Sequence, residues 1–208
     1  MRKIKIIEHI SLDGVIQGFG GPDEDRDGGY TDGGWAVPLS DPAIGEAITA
    51  AQGERFDLLL GRHTYDIFSR YWPALRDPMA IKLNAARKFV ATHRPDSLQW
   101  GPLEAVGTDI TKGIRSIKSS EGPDVIVWGS STLTPVLLQA GLADEVLLLV
   151  FPVLLGRGKR FLSDAIDPRE LSLSSSKAAS TGVLINTYRS VGALRTGSFS
   201  EPAAGNGG

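Results

Sequence analysis

The sequence predicts an α/β fold: a mainly parallel central sheet flanked by helices, with an antiparallel hairpin at its C-terminal end. Three features predict it. Short runs rich in Ile, Val and Leu alternate along the chain with segments whose apolar residues recur at helical spacing. Two of those runs end in a glycine that opens a helix, at Gly61 and at Gly129. Residues 171–176 and 183–188 alternate polar and apolar, as two antiparallel strands with one wet face would.

Taken in order, residues 4–10 read as the first strand, turned by Ser11-Leu-Asp-Gly14. Residues 17–35 hold seven glycines and five acids with almost nothing apolar, too long a structureless stretch to be idle in a compact domain. Asp41-Pro42 supplies a cap and a first-turn proline for a helix to about residue 52. Residues 56–60 form the next strand, and Gly61-Arg62-His63-Thr64 passes it into a short helix with Tyr65, Phe68, Tyr71 and Trp72 on its apolar face. Residues 88–92 and, more weakly, 103–106 are strands, and residues 110–120 are a helix with Ile114 and Ile117 inward. Val125, Ile126 and Val127 make a buried β-branched strand that stops at Gly129, where Ser130 or Ser131 can cap the helix carrying Leu133, Val136, Leu137 and Ala140. A long strand starts at Glu145, and the hairpin closes the fold. One domain, residues 1–192, is expected, followed by a flexible Gly/Ser/Pro/Ala tail over 193–208.

Composition sets limits on function. With 208 residues, 41% hydrophobic, the chain can bury a sizeable core. A net charge of −2 gives no bulk electrostatic case for nucleic acid or an anionic membrane. Cysteine is absent, which removes thiolate metal sites and cysteine nucleophiles, and the three histidines show no ligand spacing. The longest apolar run, residues 146–155, contains Pro152 and is about half a membrane span. A cytoplasmic protein is expected. That same run, more apolar than a half-wet strand needs, is expected to lie near a sheet edge and be covered by a second copy in a homodimer.

Several chemistries fail on spacing. Ser130 has Trp128 and Thr132 where a nucleophile elbow requires glycines, and Gly156-Arg-Gly-Lys159 lacks the spacing of a phosphate-binding loop. Asp23-Glu-Asp-Arg-Asp-Gly28 matches the first half of a calcium loop, but Gly34 stands where a bidentate Glu belongs. A solvated, glycine-hinged lid is the better reading of that loop. What remains is the pair of helix N-termini at Arg62–Thr64 and Gly129–Ser131, which suit a pyrophosphate if they face each other. Arg62 and Arg94 suit an added phosphate.

These residues resemble the dihydrofolate reductase fold, and within it the branch of the riboflavin-biosynthesis reductase domain. Leu58-Leu-Leu-Gly-Arg-His-Thr-Tyr65, Arg87-Lys-Phe-Val-Ala-Thr92 and Val125-Ile-Val-Trp-Gly-Ser-Ser131 look like its cofactor-binding strands and turns. Gly141-Leu-Ala-Asp-Glu-Val146 through Phe151-Pro-Val-Leu-Leu-Gly-Arg-Gly-Lys159 is similar to the riboflavin-type branch. The resemblance implies an eight-stranded sheet, NADPH as hydride donor, and a small heterocyclic acceptor such as a ribosylaminopyrimidine, as in 5-amino-6-(5-phosphoribosylamino)uracil reductase. It places Gly61, Arg62, His63, Thr64, Thr92, His93, Arg94, Trp128, Gly129, Ser130, Ser131 and Thr132 along the cofactor, with His9 and Ile16 near the nicotinamide. Folate reductases carry a carboxylate after a Trp-x-x-Pro stretch, here Trp35-Ala-Val-Pro38, and the candidates for it are Asp41 and Glu46, neither in clean register. The alternatives are a dihydrofolate reductase, a non-catalytic nucleotide-binding module, and a calcium- or partner-binding protein acting through residues 17–35.

Overall fold

The computed structural model describes residues 1–162 and 166–199. Its centre is one eight-stranded sheet, ordered β4-β3-β2-β5-β1-β6-β8-β7. The strands are β1 (Ile4–Ser11), β2 (Asp57–Gly61), β3 (Lys88–Ala91), β4 (Leu103–Ala105), β5 (Val125–Trp128), β6 (Glu145–Phe151), β7 (Arg169–Ala178) and β8 (Leu184–Ala193). Strands β1 to β6 run parallel, and β8 pairs antiparallel with both β6 and β7. Five helices join them: α1 (Pro42–Gln52), α2 (Arg62–Tyr71), α3 (Pro78–Ala85), α4 (Ile110–Ser119) and α5 (Leu133–Gln139).

Burial on both faces explains why the central strands are continuously apolar. Leu58, Leu60, Ile126 and Trp128 face one core with Ile44 and Ile48 of α1, Tyr65 and Phe68 of α2 and Leu83 of α3. Leu59, Val125 and Val127 face the other, with Ile114 and Ile117 of α4 and Leu133 and Leu137 of α5. The period-two alternation of each strand therefore sorts its side chains between two helical layers.

The connections place a crevice at the sheet's centre. From β2 the chain goes through α2 to β3, away from β1; from β5 it goes through α5 to β6, across β1. Right-handed crossovers in opposite directions put α2 and α5 on opposite faces, so the chain parts at the carboxyl ends of β2 and β5. The β1–β5 pairing ends at Ile7 and Trp128, while β1 continues beside β6 as far as Ser11.

Four details differ from the sequence expectation. Helix α3 was not foreseen, although Asp77-Pro78 repeats the cap-and-proline signal of Asp41-Pro42; Asp77 accepts from the N–H groups of Met79 and Ala80. The hairpin is longer than its alternating core, because register shifts after Glu170 and between Leu173 and Ser175 interrupt the alternation without ending the pairing. Strand β6 lies inside the sheet between β1 and β8, so its apolar run needs no second copy to cover it; the edge strands are β4 and β7. Of the expected tail, Ala193 belongs to β8 and Arg195 Nε reaches Glu170 at 2.7 Å, while residues 200–208 lie outside the described ones.

Two helical glycines give opposite expectations. A Cβ at exposed Gly45 in α1 would meet nothing within 4 Å, whereas one at Gly113 in α4 would lie 1.8 Å from the Val106 carbonyl oxygen. Gly45→Ala should stabilise by about 0.5–1 kcal/mol through helix propensity. Gly113→Ala should destabilise despite the same propensity gain, because backbone must move. Urea midpoints of the two variants check this; a stabilised Gly113→Ala contradicts the packing of α4 on β4.

Candidate active site

The two central strand-to-helix turns meet at the crevice. Gly61 donates its N–H to Ser130 Oγ at 2.9 Å, and Ser130 Oγ lies 3.1 Å from Thr64 Oγ1. A Cβ on Gly61 would come within 2.9 Å of that same oxygen, so the approach requires glycine. Gly129 (φ 54°) and Ser130 (φ 68°) both adopt left-handed backbone, and Ser130 is the one non-glycine with positive φ among the described residues. Such a residue stores strain, of order 1–3 kcal/mol, that the surroundings must hold. The Ser130 hydroxyl does not cap α5, as the sequence suggested; its carbonyl instead accepts from Leu133 and Thr134. Folding the side chain back to Gly61 is the reason.

Helix capping separates this site from the rest of the fold. Helices α1, α3 and α4 begin with Asp41, Asp77 and Asp109, each accepting from its own first turn. Helix α2 begins with Gly61 and has no side-chain cap, and neither has α5. The first-turn N–H groups of α2 are therefore left for something outside the helix. Among the described residues, nothing accepts from the N–H of Ser131 or Thr132 either.

Around these turns lie three connected hollows. The first, about 250 Å³, is bounded by Ile16, Gly61–Thr64, Gly129–Thr132, Glu8 and Glu24. A second, about 640 Å³, lies on the α1–α3 side and includes His9. The two share Phe19, Glu24, Ile67, Phe68 and Trp128 as a common wall. A third, about 580 Å³, extends outward and gathers Arg62, His63, Thr92, His93, Arg94 and Thr132. Every residue expected along the cofactor thus borders one of these hollows. Arg62 is already engaged: its Nε is 2.9 Å from both Asp66 carboxylate oxygens, and its Nη1 donates to Ser97 Oγ at 2.6 Å. The exposed guanidinium of Arg94 has no partner among the described residues.

The two expected acids are elsewhere. Asp41 caps α1 through Ala43 and accepts from the backbone and hydroxyl of Ser180 in the β7–β8 turn; these hydrogen bonds, Ser180's hydroxyl first, hold its carboxyl below the usual range. Glu46 is solvated, 4.0 Å from Lys177 Nζ. Neither borders the hollows.

Six carboxyls do, those of Glu8, Asp23, Glu24, Asp25, Asp27 and Asp66, and two of them, Glu8 and Glu24, are pushed toward the protonated form. Glu8 on β1 is 2% exposed, and its Oε2 is sealed without a partner. Burial raises its pKa well above the ordinary value, and the charge of Glu24 adds to this. Glu24 Oε2 accepts from the Gly20 N–H at 2.5 Å, and burial followed by the Asp25 charge raises its pKa too, against the pull of the Gly20 and Gly21 N–H groups. His9 is stacked on Phe19, centroids 4.0 Å apart, and burial lowers its pKa to about 3. It stays neutral at physiological pH.

The acidic loop is fastened at several points although Asp23, Arg26, Asp27, Gly28, Gly29 and Thr31 are exposed. Lys159 Nζ lies 2.9 Å from carboxylate oxygens of both Asp25 and Asp27, and its N–H donates to Gln17 Oε1. His63 Nε2 is 3.0 Å from the same Asp25 oxygen, which ties the loop to the first turn of α2. Arg157 holds Asp32 at 2.8 Å.

The class of protein follows from this sheet and crevice: it has the dihydrofolate reductase-like fold. A dihydrofolate reductase from Enterococcus faecalis complexed with NADP(H) and RAB-propyl superposes with a TM-score of 0.59 at 15% identity, covering 90% of this chain and 96% of that one. A putative riboflavin biosynthesis protein from Shewanella sp. PV-4 gives 0.56 at 17% identity, covering 91% and 99%. Within that fold, residues 2–185 match the RibD C-terminal domain, and the chain belongs to that family. The uncharacterized protein YyaP of Bacillus subtilis (strain 168) is 24% identical over 192 residues, covering 90% of this chain and 94% of its own.

Glu8 provides a test of the site's electrostatics. A carboxyl whose folded-state pKa is raised leaves the native state fully stable below the unfolded value near 4.5, and stability is lost as pH rises toward the folded value. The melting-temperature advantage of Glu8→Gln over the parent should therefore grow from pH 5 to pH 8.5. A difference that stays constant with pH would show that Glu8 is not buried as described.

Proposed function

We propose that this protein is an NADPH-dependent reductase. The observation that carries the reading is the pair of uncapped turns, Gly61–Thr64 and Gly129–Thr132, at the switch point of a sheet whose other α-helices among the described residues, α1, α3 and α4, are capped by aspartate. Family membership and the NADP(H)-complexed dihydrofolate reductase neighbour support it.

The residues present fit the cofactor. The first turn of α2 and the N–H groups of Ser131 and Thr132 would hold a pyrophosphate, since unsatisfied N–H groups and the helix dipole both favour an anion. Arg94, with Thr92 and His93, would hold an adenosine 2′-phosphate, a role that Arg62 can share only by giving up Asp66. Bound there, NADPH supplies a hydride. Ile16, Glu8 and Trp128 border the inner end of the cleft, and Trp128 with Phe19 separates it from the second cavity.

Reduction of a C=N or C=O bond needs a proton on the heteroatom as hydride reaches the carbon. Glu24 is the acid at that junction: one oxygen is held by Gly20, and its raised pKa keeps the carboxyl protonated further toward neutral pH than an ordinary glutamate. Glu24 gives its proton to the acceptor's heteroatom and regains one from solvent. Its place on the loop couples the acid to loop position, which Lys159 and His63 set.

Calorimetric titration tests the cofactor. NADPH should bind more tightly than NADH by about one to two decades, the worth of a charge-assisted phosphate contact. Arg94→Ala should narrow that gap more than Arg62→Ala. Equal affinities for the two cofactors would remove the assignment.

Acid placement is tested by turnover. For any carbonyl or imine acceptor that supports NADPH oxidation, Glu24→Gln should lower kcat by about 10²–10⁴ with NADPH affinity retained. The parent's rate should fall as pH rises through the Glu24 pKa, and the variant should lose that limb. Asp41→Asn and Glu46→Gln should leave kcat nearly unchanged; a collapse in either would return the acid to α1.

A further inference from the structure

The second cavity shows what kind of molecule accepts the hydride, an inference that rests on the reductase reading above. We propose that it receives a neutral, planar ring compound that carries no phosphate.

Its walls are flat and apolar. Phe19, Phe68, Trp72, Trp128, Met79 and Leu83 border it, and at about 640 Å³ it is a full-sized small-molecule site. Aromatic walls favour a ring that can stack or meet them edge-on. The polar groups that reach it are few. His9 enters from β1 as a neutral imidazole, and Glu24 stands at the junction with the cofactor cleft. Both suit hydrogen bonds to ring heteroatoms more than ion pairing.

Apart from the exposed Arg70, the devices that could anchor a phosphate here are occupied or have the wrong sign. Helix α2 presents its last turn, Phe68 to Tyr71, where the helix dipole is negative. Helix α3 contributes Met79 from its first turn, but the N–H groups of Met79 and Ala80 are already taken by Asp77. Gly20 and Gly21 could have cradled an anion with their N–H groups, and Glu24 occupies both. One cation borders the cavity, the exposed Arg70; of the two acids at the rim, Asp23 is paired with Arg26 and Glu24 is pushed toward its neutral form. A phosphate needs several charge-assisted donors to replace its hydration, and this cavity offers a single guanidinium, at its exposed rim. The contrast with the adjoining cleft is sharp: there the N-terminal turn of α2 is uncapped, and here the same helix ends. One helix therefore favours an anion at one end and disfavours it at the other. A ribosylaminopyrimidine 5′-phosphate, the acceptor expected from resemblance, does not match this cavity.

Two probes decide the matter. The planar, uncharged 2-methyl-1,4-naphthoquinone and the phosphorylated pyrimidine nucleotide uridine 5′-monophosphate are titrated against the full chain, followed by tryptophan fluorescence. Saturating NADP⁺ fills the cofactor cleft and prevents turnover, and a parallel series omits it. The naphthoquinone should bind at least about tenfold more tightly than the nucleotide. Tyr71→Ala, at an exposed position on the cavity rim, should weaken it about fivefold without changing NADP⁺ affinity. Nucleotide binding as tight as naphthoquinone binding overturns the proposal. So does naphthoquinone binding that Tyr71→Ala leaves untouched, or no saturable binding of either probe below about 1 mM. NADP⁺ is titrated separately, so a failure of the cofactor reading appears as loss of that binding alone, with the naphthoquinone series still readable.

Discussion

The contact between Gly61 and Ser130 sets the geometry on which the rest of the site depends. Strands β2 and β5 pair as far as Leu59 and Val127 and then send their helices to opposite faces of the sheet. Beyond that point the Ser130 hydroxyl holds the turns together, accepting from the Gly61 N–H at 2.9 Å and lying 3.1 Å from Thr64 Oγ1. It demands a residue without Cβ at 61 and a backbone at 129–130 that only glycine adopts freely. The strain at Ser130 is therefore tied to a definite result. The hydroxyl that could have capped α5 is turned away, and the N–H groups on both sides of the crevice remain open.

Charge on the acidic loop would oppose an anionic cofactor unless it were balanced. Lys159 and His63 converge on Asp25, and Lys159 also reaches Asp27. The segment after β6 is thus a clamp: Ile16 donates to the Lys159 carbonyl at 2.9 Å, and Val15 bridges to Arg160. Because His63 lies in the first turn of α2, its contact with Asp25 joins that turn to the loop that carries Glu24, and Lys159 holds the same carboxylate from the other side.

Much of this was legible in the sequence because its signals are local. Asp41-Pro42 and Gly61-Arg-His-Thr64 each announce an element boundary within four residues, and the apolar period fixes which face is inside. Helix α3 had the same local signal in Asp77-Pro78. The acids were not legible, because what distinguishes them is distant. Asp41 looked like a substrate acid by its distance from Trp35, but Ser180, far along the chain, had already claimed it. Glu24 looked like one of five solvated acids, and only the fold brings it against Phe19, Phe68 and Trp128. Glu8 did leave a trace: it is the one acid in β1, a central strand, where an unpaired carboxyl is expensive. The edge position of β6 failed for the same reason, since order across a sheet is set by crossovers and not by any one strand's composition.

Amide hydrogen exchange with and without NADP⁺ tests the central claim most directly, that the two uncapped turns form the cofactor site. The account predicts slowed exchange at residues 62–64 and 129–132, with smaller effects at 92–94 beside the 2′-phosphate and on the loop at 17–27. Protection that leaves both turns unchanged, or that appears instead at the capped N-termini of α1, α3 and α4, would contradict it.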